Sequence, residues 1–154
     1  MKMKKAKQRF QIIPAVYLVL KKNDTILLSR RFNTGYADGK YSLVAGHIDG
    51  DESLITALIR EAKEEANIVI QPEDLDLVHT MHCRSEIAGT TDDERVDFYF
   101  MATIYEGDLQ NMEPDKCDDL SWHPLDNLPE KMVDKVRLAL GCIRESKTFT
   151  TYGW

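Results

Sequence analysis

The chain has no long hydrophobic run, and this absence argues against a membrane span. The longest strongly apolar stretch near its start, Ile12 to Leu20, is interrupted by Pro14 and is far shorter than the roughly 20 residues that a transmembrane helix needs. The basic opening MKMKKAKQR is not followed by an apolar segment with a small-residue cleavage site, so no secretory signal is expected. These features favour a cytoplasmic protein without membrane contacts.

Cysteine is scarce, and excess positive charge is lacking. The three cysteines, Cys83, Cys117 and Cys142, are odd in number and widely spaced, which predicts reduced thiols rather than a disulfide framework or a zinc cluster. The formal net charge of -6 argues against non-specific nucleic-acid binding, because such binding uses a basic surface. An acidic protein can still bind phosphates if a metal ion or a few placed cations bridge the two negative partners.

Internal repeats and linkers are also missing. The 154 residues contain no tract rich in Gly, Pro or Ser, so we expect one globular domain over residues 1–154. Apolar runs bounded by turn residues predict strands at residues 10–20, 25–30, Tyr41 to Ala45, Leu75 to His82, Arg95 to Ile104 and Leu120 to His123. Helical spacing predicts helices at Glu52 to Ala66 and at about Pro129 to Glu145. This order indicates an α/β sandwich with a mixed sheet.

The stretch from Glu52 to Ala66 is the clearest helix, since it contains no Gly or Pro and consists almost wholly of good helix formers. On a helical wheel one side is apolar, and Arg60 falls on the opposite, solvated side. Glu61, Glu64 and Glu65 stand at positions i, i+3 and i+4, so they project together beside the apolar stripe.

Three like charges at the margin of a core repel one another unless a cation compensates them. Carboxylate oxygens are the ligands that Mg²⁺ and Mn²⁺ prefer, so the glutamates predict a divalent metal site. A solvated acidic helix face is the competing interpretation, because most charge runs are only that. The helix alone leaves both interpretations open.

A longer sequence pattern favours the metal site over the solvated acidic face. The residues GHIDGDESLITALIREAKEEANI, from Gly46 to Ile68, resemble the signature of the Nudix hydrolase family: a glycine, five residues, a glutamate, seven residues, then Arg-Glu-apolar-x-Glu-Glu-x-Gly-apolar. One signature position departs, since Asn67 stands where the family has glycine. Asparagine is the next most tolerant residue of the left-handed conformation that ends a helix. Just upstream, Val44 and Ala45 replace the Pro-Gly that is often found there.

The resemblance implies a Nudix-like α/β/α sandwich with a central mixed β-sheet. It implies a metal-dependent hydrolase that cleaves a pyrophosphate bond in a nucleoside di- or triphosphate or a nucleoside-diphosphate-linked substrate. Glu61, Glu64 and Glu65 would bind Mg²⁺ or Mn²⁺ together with the backbone carbonyl of Gly46, and Arg60 would hold a helix glutamate by a charge-assisted bond. The metal would neutralise the leaving phosphate and lower the pKa of a bound water for in-line attack.

A further acidic residue often completes such sites in the family, and its position varies. The candidates in the segment NMEPDKCDD are Glu113, Asp115, Asp118 and Asp119. We favour Glu113 among them. The proton of the attacking water would pass to Glu61, Glu65 or Glu113, and the sequence does not choose among the three.

Candidate substrate contacts are aromatic and cationic residues near the ends of predicted strands, where stacking and charge suit a nucleotide. They are Arg31, Tyr36, His82, Arg84 and Arg95. A surface or packing role competes with substrate contact at each position. The sequence selects no substrate within the family's range, and it leaves the oligomeric state, a homodimer included, open.

Two other functions compete with the hydrolase. A regulatory module of the same fold would bind a nucleotide without cleaving it, but such a protein usually loses an acidic ligand, whereas Glu52 and the three helix glutamates are all present. A plain interaction domain with an acidic helix would be indifferent to Mg²⁺. The sequence favours the enzyme, with a nucleotide-like small molecule as its partner.

Overall fold

A computed structural model describes residues 8–84 and 94–154. In these residues the strands are β1 (Ile13–Lys22), β2 (Thr25–Arg31), β3 (Tyr41–Ser42), β4 (Val44–His47), β5 (Asp76–Cys83), β6 (Arg95–Ala102), β7 (Cys117–Pro124) and β8 (Phe149–Tyr152). The helices are α1 (Leu54–Ala66) and α2 (Asp134–Arg144), and a short 3-10 helix covers Pro72–Asp74. No helix within the described residues is long and apolar enough to cross a membrane.

The sheet is mixed, as the sequence predicts. Its strands follow the order β3-β2-β1-β6-β5-β8, with β4 pairing to β1 and β7 pairing to β2. β1 runs parallel to β6 and β5 runs parallel to β8, whereas the other pairs are antiparallel.

β6 pairs along one whole side of β1, and β4 and β2 share the other side. Residues 15–18 of β1 pair with β4, whereas Lys21 and Lys22 pair with β2. β4 and β2 therefore diverge from the same strand, and a gap opens between them.

Hydrophobic side chains fill both faces of the sheet. Alternate residues of β1 point to opposite faces, so Tyr17 and Val19 join the core beneath α2, whereas Leu18 and Leu20 join the core beneath α1. Leu58 of α1 is fully buried in the second of these cores. The two helices thus cover the two faces, which confirms the α/β/α sandwich.

Most predicted elements differ from the structure by one to three residues at an end, and two differ by more than this. The strand predicted from Tyr41 to Ala45 is two short strands, since Tyr41 pairs with β2 and Val44 pairs with β1. The second helix begins at Asp134 rather than near Pro129. Residues 131–133 remain extended because their backbone exchanges hydrogen bonds with that of Tyr41.

Strand β8 is absent from the sequence prediction. Its four residues, Phe-Thr-Thr-Tyr, are too few for a hydrophobic period to be recognised, and the strand is held by parallel pairing with β5. The three cysteines, Cys83, Cys117 and Cys142, are buried and free, as expected for reduced thiols.

Candidate active site

Helix α1 is capped at both ends. Ser53 precedes it, and its hydroxyl accepts a hydrogen bond from the Thr56 N–H. Asn67 ends it in the left-handed conformation, with φ 58° and ψ 27°, as expected from its place in the signature. The Asn67 side chain also donates a hydrogen bond to the carbonyl of Asp108 at 3.0 Å, so this residue ties a later segment to the helix end.

Arg60 is the centre of an ion-pair network. Its Nε and Nη2 donate to the two carboxylate oxygens of Glu52 at 3.2 and 2.8 Å, and its Nη1 donates to Glu61 at 2.8 Å and to Glu64 at 3.3 Å. The hydrogen bonds to Glu52 raise the pKa of the Arg60 guanidinium above its usual value. The predicted placement of Arg60 on the solvated side of the helix therefore holds only in part. Its side chain is only 24% exposed, because the loop that carries Glu52 folds over it.

Glu61 lies directly against Gly46. A Cβ at position 46 would be 1.9 Å from Glu61 Oε1, so the glycine allows the carboxylate to approach the backbone of β4. Burial raises the pKa of the Glu61 carboxyl, while the hydrogen bond from Arg60 opposes that shift. The signature glycine is thus required by a close approach at this position.

Glu113 reaches the helix through a docked segment. The Met112 N–H donates to the carbonyl of Glu65 at 3.0 Å, and the Gln110 N–H donates to the carbonyl of Ala66 at 3.1 Å. These bonds satisfy carbonyls in the last turn of α1 that have no partner within the helix. The segment thereby holds Glu113 near the end of the helix, where its charge acts on Glu65.

Glu65 has a strongly perturbed carboxyl group. Burial is the main cause, the negative charges of Glu61 and Glu113 add to it, and the pKa of Glu65 rises to about 8. A hydrogen bond from the Ala45 N–H and the charge of Lys116 act in the opposite direction. Glu65 therefore needs a further positive charge nearby before it is ionised at neutral pH.

These groups line a cavity of about 480 Å³ in the gap between β2 and β4, a size typical of small-molecule sites. Its acidic lining residues are Asp49, Glu61, Glu64, Glu65 and Glu113, and its cationic ones are Arg31, Arg60 and Lys116. The fold thus brings together the predicted helix residues, the loop acid Glu113 and one predicted substrate contact, Arg31.

Two charged residues of the cavity were not singled out from the sequence. Lys116 Nζ lies 3.2 Å from Glu113 Oε1, and Asp49 Oδ2 lies 3.5 Å from Arg60 Nη2. The three-residue spacing between Glu113 and Lys116 is a signal that could have indicated the first contact. Asp49 occupies a signature position at which the family pattern accepts any residue, so it carried no signal.

A turn after β2 holds Arg31 in place. Arg31 Nε donates to the carbonyl of Tyr36 at 2.7 Å, Nη2 donates to Thr34 Oγ1 at 3.0 Å, and the guanidinium lies 5.2 Å from the centre of the Tyr36 ring. Arg31 and Thr34 line the large cavity, whereas Tyr36 lines a neighbouring depression of about 230 Å³. Arg31 is therefore a fixed cation at the cavity wall, with Tyr36 behind it.

The other three candidate substrate contacts do not line this cavity. His82 Nε2 is 2.8 Å from Glu94 Oε1, and Arg95 Nε is 3.2 Å from Asp97 Oδ1. The Arg84 guanidinium lies 4.5 Å from the centre of the Trp154 ring. These residues lie at β5 and β6, which the strand order places on the side of β1 away from the gap.

The donor chemistry fits a divalent metal, although the carboxylates are paired with cations. Within residues 8–84 and 94–154, no group of three or more His, Cys, Asp or Glu side chains is assembled closely enough to hold a metal ion. Arg60 binds Glu61 and Lys116 binds Glu113, so these two cations occupy carboxylates that a metal would use. Carboxylate oxygens that face one cavity are the donors that Mg²⁺ and Mn²⁺ prefer, and one of these carboxylates, Glu61, lies directly against the backbone at Gly46.

The fold and the signature agree with a comparison against known families. The model of the NUDIX domain matches residues 11–140, and the chain belongs to the Nudix family.

Individual members of the family share only a minority of their residues with this chain. The NAD-capped RNA hydrolase NudC of Shigella dysenteriae serotype 1 (strain Sd197) is 28% identical over 119 residues, which cover 77% of this chain but only 42% of that protein, so the chain spans about two-fifths of its length. The crystal structure of a MutT NUDIX hydrolase from Burkholderia pseudomallei has a TM-score of 0.77 at 25% identity and covers 86% of this chain and 98% of its own. The NUDIX domain of Shewanella oneidensis NrtR complexed with ADP ribose has a TM-score of 0.69 at 22% identity, over 91% of each chain, which shows the shared fold.

Proposed function

We propose that this protein hydrolyses a phosphoanhydride bond in a nucleoside-diphosphate-linked substrate with the help of Mg²⁺ or Mn²⁺. The observation that carries the proposal is that Glu61, Glu65 and Glu113 line one cavity, where burial, and then the charges of Glu61 and Glu113, raise the pKa of Glu65 to about 8. Arg60 and Lys116 offset part of this negative charge, but a phosphate substrate brings more of it to the same place, so a further cation would stabilise the arrangement.

We assign the metal ligands from the donor set. Glu61, Glu64 and Glu65 would hold the ion together with the carbonyl of Gly46. When bound, the ion supplies positive charge that neutralises the anhydride oxygens and makes the attacking water more acidic. Arg60 stays bound to Glu52 through two hydrogen bonds and so keeps the helix glutamates oriented.

With three helix glutamates used as ligands, Asp49 and Glu113 are the carboxylates left in the cavity lining. Asp49 lies beside Arg60 and is 73% exposed, so we assign Glu113 as the group that accepts the proton of the attacking water. Its side chain is 33% exposed, and its partner Lys116 is 65% exposed. Both side chains therefore reach solvent, and breaking this ion pair does not leave an unpaired charge in the protein interior. The freed Lys116 can then donate a hydrogen bond to a phosphate oxygen.

Arg31 would bind the part of the substrate that lies away from the carboxylates. Two of its nitrogens are held by the turn at residues 34–36, and Nη1 has no hydrogen-bond partner among residues 8–84 and 94–154. A guanidinium fixed in this way recognises a phosphate with little loss of side-chain freedom. Two relatives support the substrate class, since one is named for NAD-capped RNA and the other is complexed with ADP ribose.

The test is a substrate panel with the purified chain. ADP-ribose, NAD, dinucleoside polyphosphates and nucleoside triphosphates are incubated with Mg²⁺, with Mn²⁺ or with a chelator, and the products are separated by chromatography. We expect a nucleoside-diphosphate-linked compound to be split into two phosphate monoesters only when the metal is present. Glu113→Gln should lower turnover roughly 10²- to 10⁴-fold, the range for loss of a general base.

Glu73→Gln is the matched control, because it makes the same chemical change at an exposed glutamate outside the cavity. It should retain the turnover of the parent. Tight nucleotide binding without any product would favour the regulatory module instead, and wild-type turnover in Glu113→Gln would remove Glu113 from the mechanism.

A further inference from the structure

A second cavity lies on the opposite face of the sheet, between α2 and β1. It measures about 440 Å³, which is in the range of small-molecule sites. Its apolar side chains belong to, or pack against, the core beneath α2 and are Val19, Met101, Leu125, Leu128, Leu140 and Ile143. None of them lines the cavity between β2 and β4 that contains the carboxylates, here called the acidic cavity, so the two sites are separate.

The remaining side chains of this cavity are cations. Lys21, Arg137 and Arg144 complete its lining, and no carboxylate does. Arg137 donates hydrogen bonds to the carbonyls of Pro129 and Glu130. Lys21 and Arg144 form no ion pair within 4 Å in the part of the chain that the structure describes, although the charge of Arg144 acts on the adjacent Glu145, which lies outside the cavity lining. A positive border on a chain of net charge -6 is a local reversal of sign, and it is complementary to an anion.

Gly141 adds an independent observation. Glycine inside a helix is destabilising relative to alanine, so its presence usually has a packing or backbone reason. Neither reason applies here, because its φ is not in the left-handed region and a Cβ would have nothing within 4 Å. Gly141 lines the apolar cavity, and the space beside it is open.

The lining also limits the kind of ligand. It contains no aromatic ring, hydroxyl or amide side chain that could stack on a ring or hydrogen-bond its heteroatoms. Recognition therefore rests on aliphatic contact area and on one anionic group. We propose that this cavity binds a medium-chain fatty acid, with the chain against Leu128 and Leu140 and the carboxylate beside Lys21 and Arg144. The site goes beyond the hydrolase function and does not depend on it.

The experiment measures binding of decanoate to the full chain by calorimetry and by its effect on the melting temperature. Decyltrimethylammonium has the same aliphatic chain with the opposite charge, and we expect it to bind at least roughly tenfold more weakly than decanoate. Butyrate keeps the carboxylate but lacks most of the chain, and it should bind at least roughly tenfold more weakly as well.

Two variants at one position test the place of binding. Gly141→Ala and Gly141→Leu both remove the helix glycine, but only leucine takes up substantial space in the cavity. Gly141→Ala should bind decanoate within roughly twofold of the parent, and Gly141→Leu should bind it roughly tenfold more weakly or worse. Both should retain nucleotide hydrolysis, since neither touches the acidic cavity.

Lys21→Gln combined with Arg144→Gln provides a second test that does not alter the apolar lining. Arg137 remains in this variant, so the preference for decanoate over decyltrimethylammonium should decrease by at least roughly tenfold rather than disappear. Equal binding of the two amphiphiles by the parent, or unchanged decanoate binding in a folded Gly141→Leu, overturns the proposal. Concentration-dependent dimerisation that Gly141→Leu abolishes, without decanoate binding by the parent, would also overturn it and assign the face to a second copy of the chain.

Discussion

Arg60 and Glu52 meet through two parallel hydrogen bonds, with Nη2 2.8 Å from Oε1 and Nε 3.2 Å from Oε2. This pairing fixes the plane of the guanidinium, and the remaining nitrogen, Nη1, donates to Glu61 and Glu64. The orientation of two proposed metal ligands therefore depends on the planar, forked shape of one side chain. A lysine would keep the charge but could not make both bonds to Glu52 in this geometry.

Arg60→Lys is accordingly expected to lower turnover roughly 10- to 100-fold, as is usual when the support of a metal ligand is lost, while the protein stays folded. Turnover on the best substrate and a thermal melt check the two parts. Lys63→Gln is the control, because Lys63 is exposed on the same helix and should leave turnover almost intact. Parental activity in Arg60→Lys would show that the network has only a structural role.

Gly46→Ala tests the close approach of Glu61 to the backbone. The new Cβ would overlap the Glu61 carboxylate, which must then rotate away from β4. We expect a folded protein whose turnover and Mg²⁺ affinity both decrease. Gly35→Ala is unsuitable as a control because Gly35 has φ 82°, whereas Gly141→Ala, with an ordinary helical φ, should retain both properties. A fully active Gly46→Ala would contradict the ligand assignment around Glu61.

Glu65 determines a pH dependence of the metal-free protein. Its pKa is raised from 4.5 to about 8 in the folded state, mainly because of burial. Below pH 4.5 the carboxyl is protonated in both states, and the stability that this group contributes is fully present. As the pH rises through 8 that contribution is lost, since the unfolded chain releases the proton more readily. Glu65→Gln cannot ionise, so it should exceed the parent in stability at pH 9 and match it near pH 4.

Urea unfolding in the presence of a chelator measures this difference. Glu73→Gln should follow the pH profile of the parent, because its carboxyl is exposed and lies outside the cavity. If the free energy of unfolding changes with pH in the same way for Glu65→Gln and the parent, Glu65 is ionised in the folded protein without a bound cation.

Metal binding should reverse the loss of stability at high pH. An ion that binds only the folded state raises its melting temperature, and protons compete with it for Glu65. We therefore expect millimolar Mg²⁺ or Mn²⁺ to raise the melting temperature more at pH 8.5 than at pH 6. NaCl of matched ionic strength is the control. A melting temperature that both metals leave unchanged would count against the metal site.

Asn67 should tolerate glycine better than valine. Its φ of 58° is strained for a β-branched residue, by roughly 1–2 kcal/mol, whereas glycine adopts it freely. Either change removes the bonds that its side chain makes with Lys63 and Asp108, at 2.7 and 3.0 Å. Asn67→Val should therefore be less stable than Asn67→Gly by about the strain alone. Equal urea midpoints and slopes for the two variants would remove this account of the cap.

Local rules were sufficient for helix α1 and for its left-handed end at Asn67, because both depend on neighbours in the sequence. They were insufficient for Arg60. A helical wheel gives the direction of a side chain from the helix axis, but it cannot show that the loop carrying Glu52 folds over that side. The partial burial of Arg60 is a tertiary effect that the wheel does not predict.

The rest of the cavity depends on long-range contacts. Glu113 lies near Glu65 because the segment before it docks on the free carbonyls of α1, a contact that no periodicity reports. His82 and Arg95 do lie near strand ends, as predicted. The order of strands, however, places β5 and β6 away from the gap, and a single sequence does not reveal that order.

The parallel pairing of β1 with β6 has a consequence for how the chain is made. Ile13 pairs with Arg95 and Leu20 with Ala102, so the whole of α1 lies between the paired strands in the sequence. Pairing between such distant segments is slow, because a long loop must close before any contact forms. A nascent chain that has not yet reached β6 can form α1, but it leaves the edge of an apolar strand open to association with other chains. During synthesis, the edge of β1 that β6 will cover therefore stays open from the time the signature has emerged until β6 can pair with it.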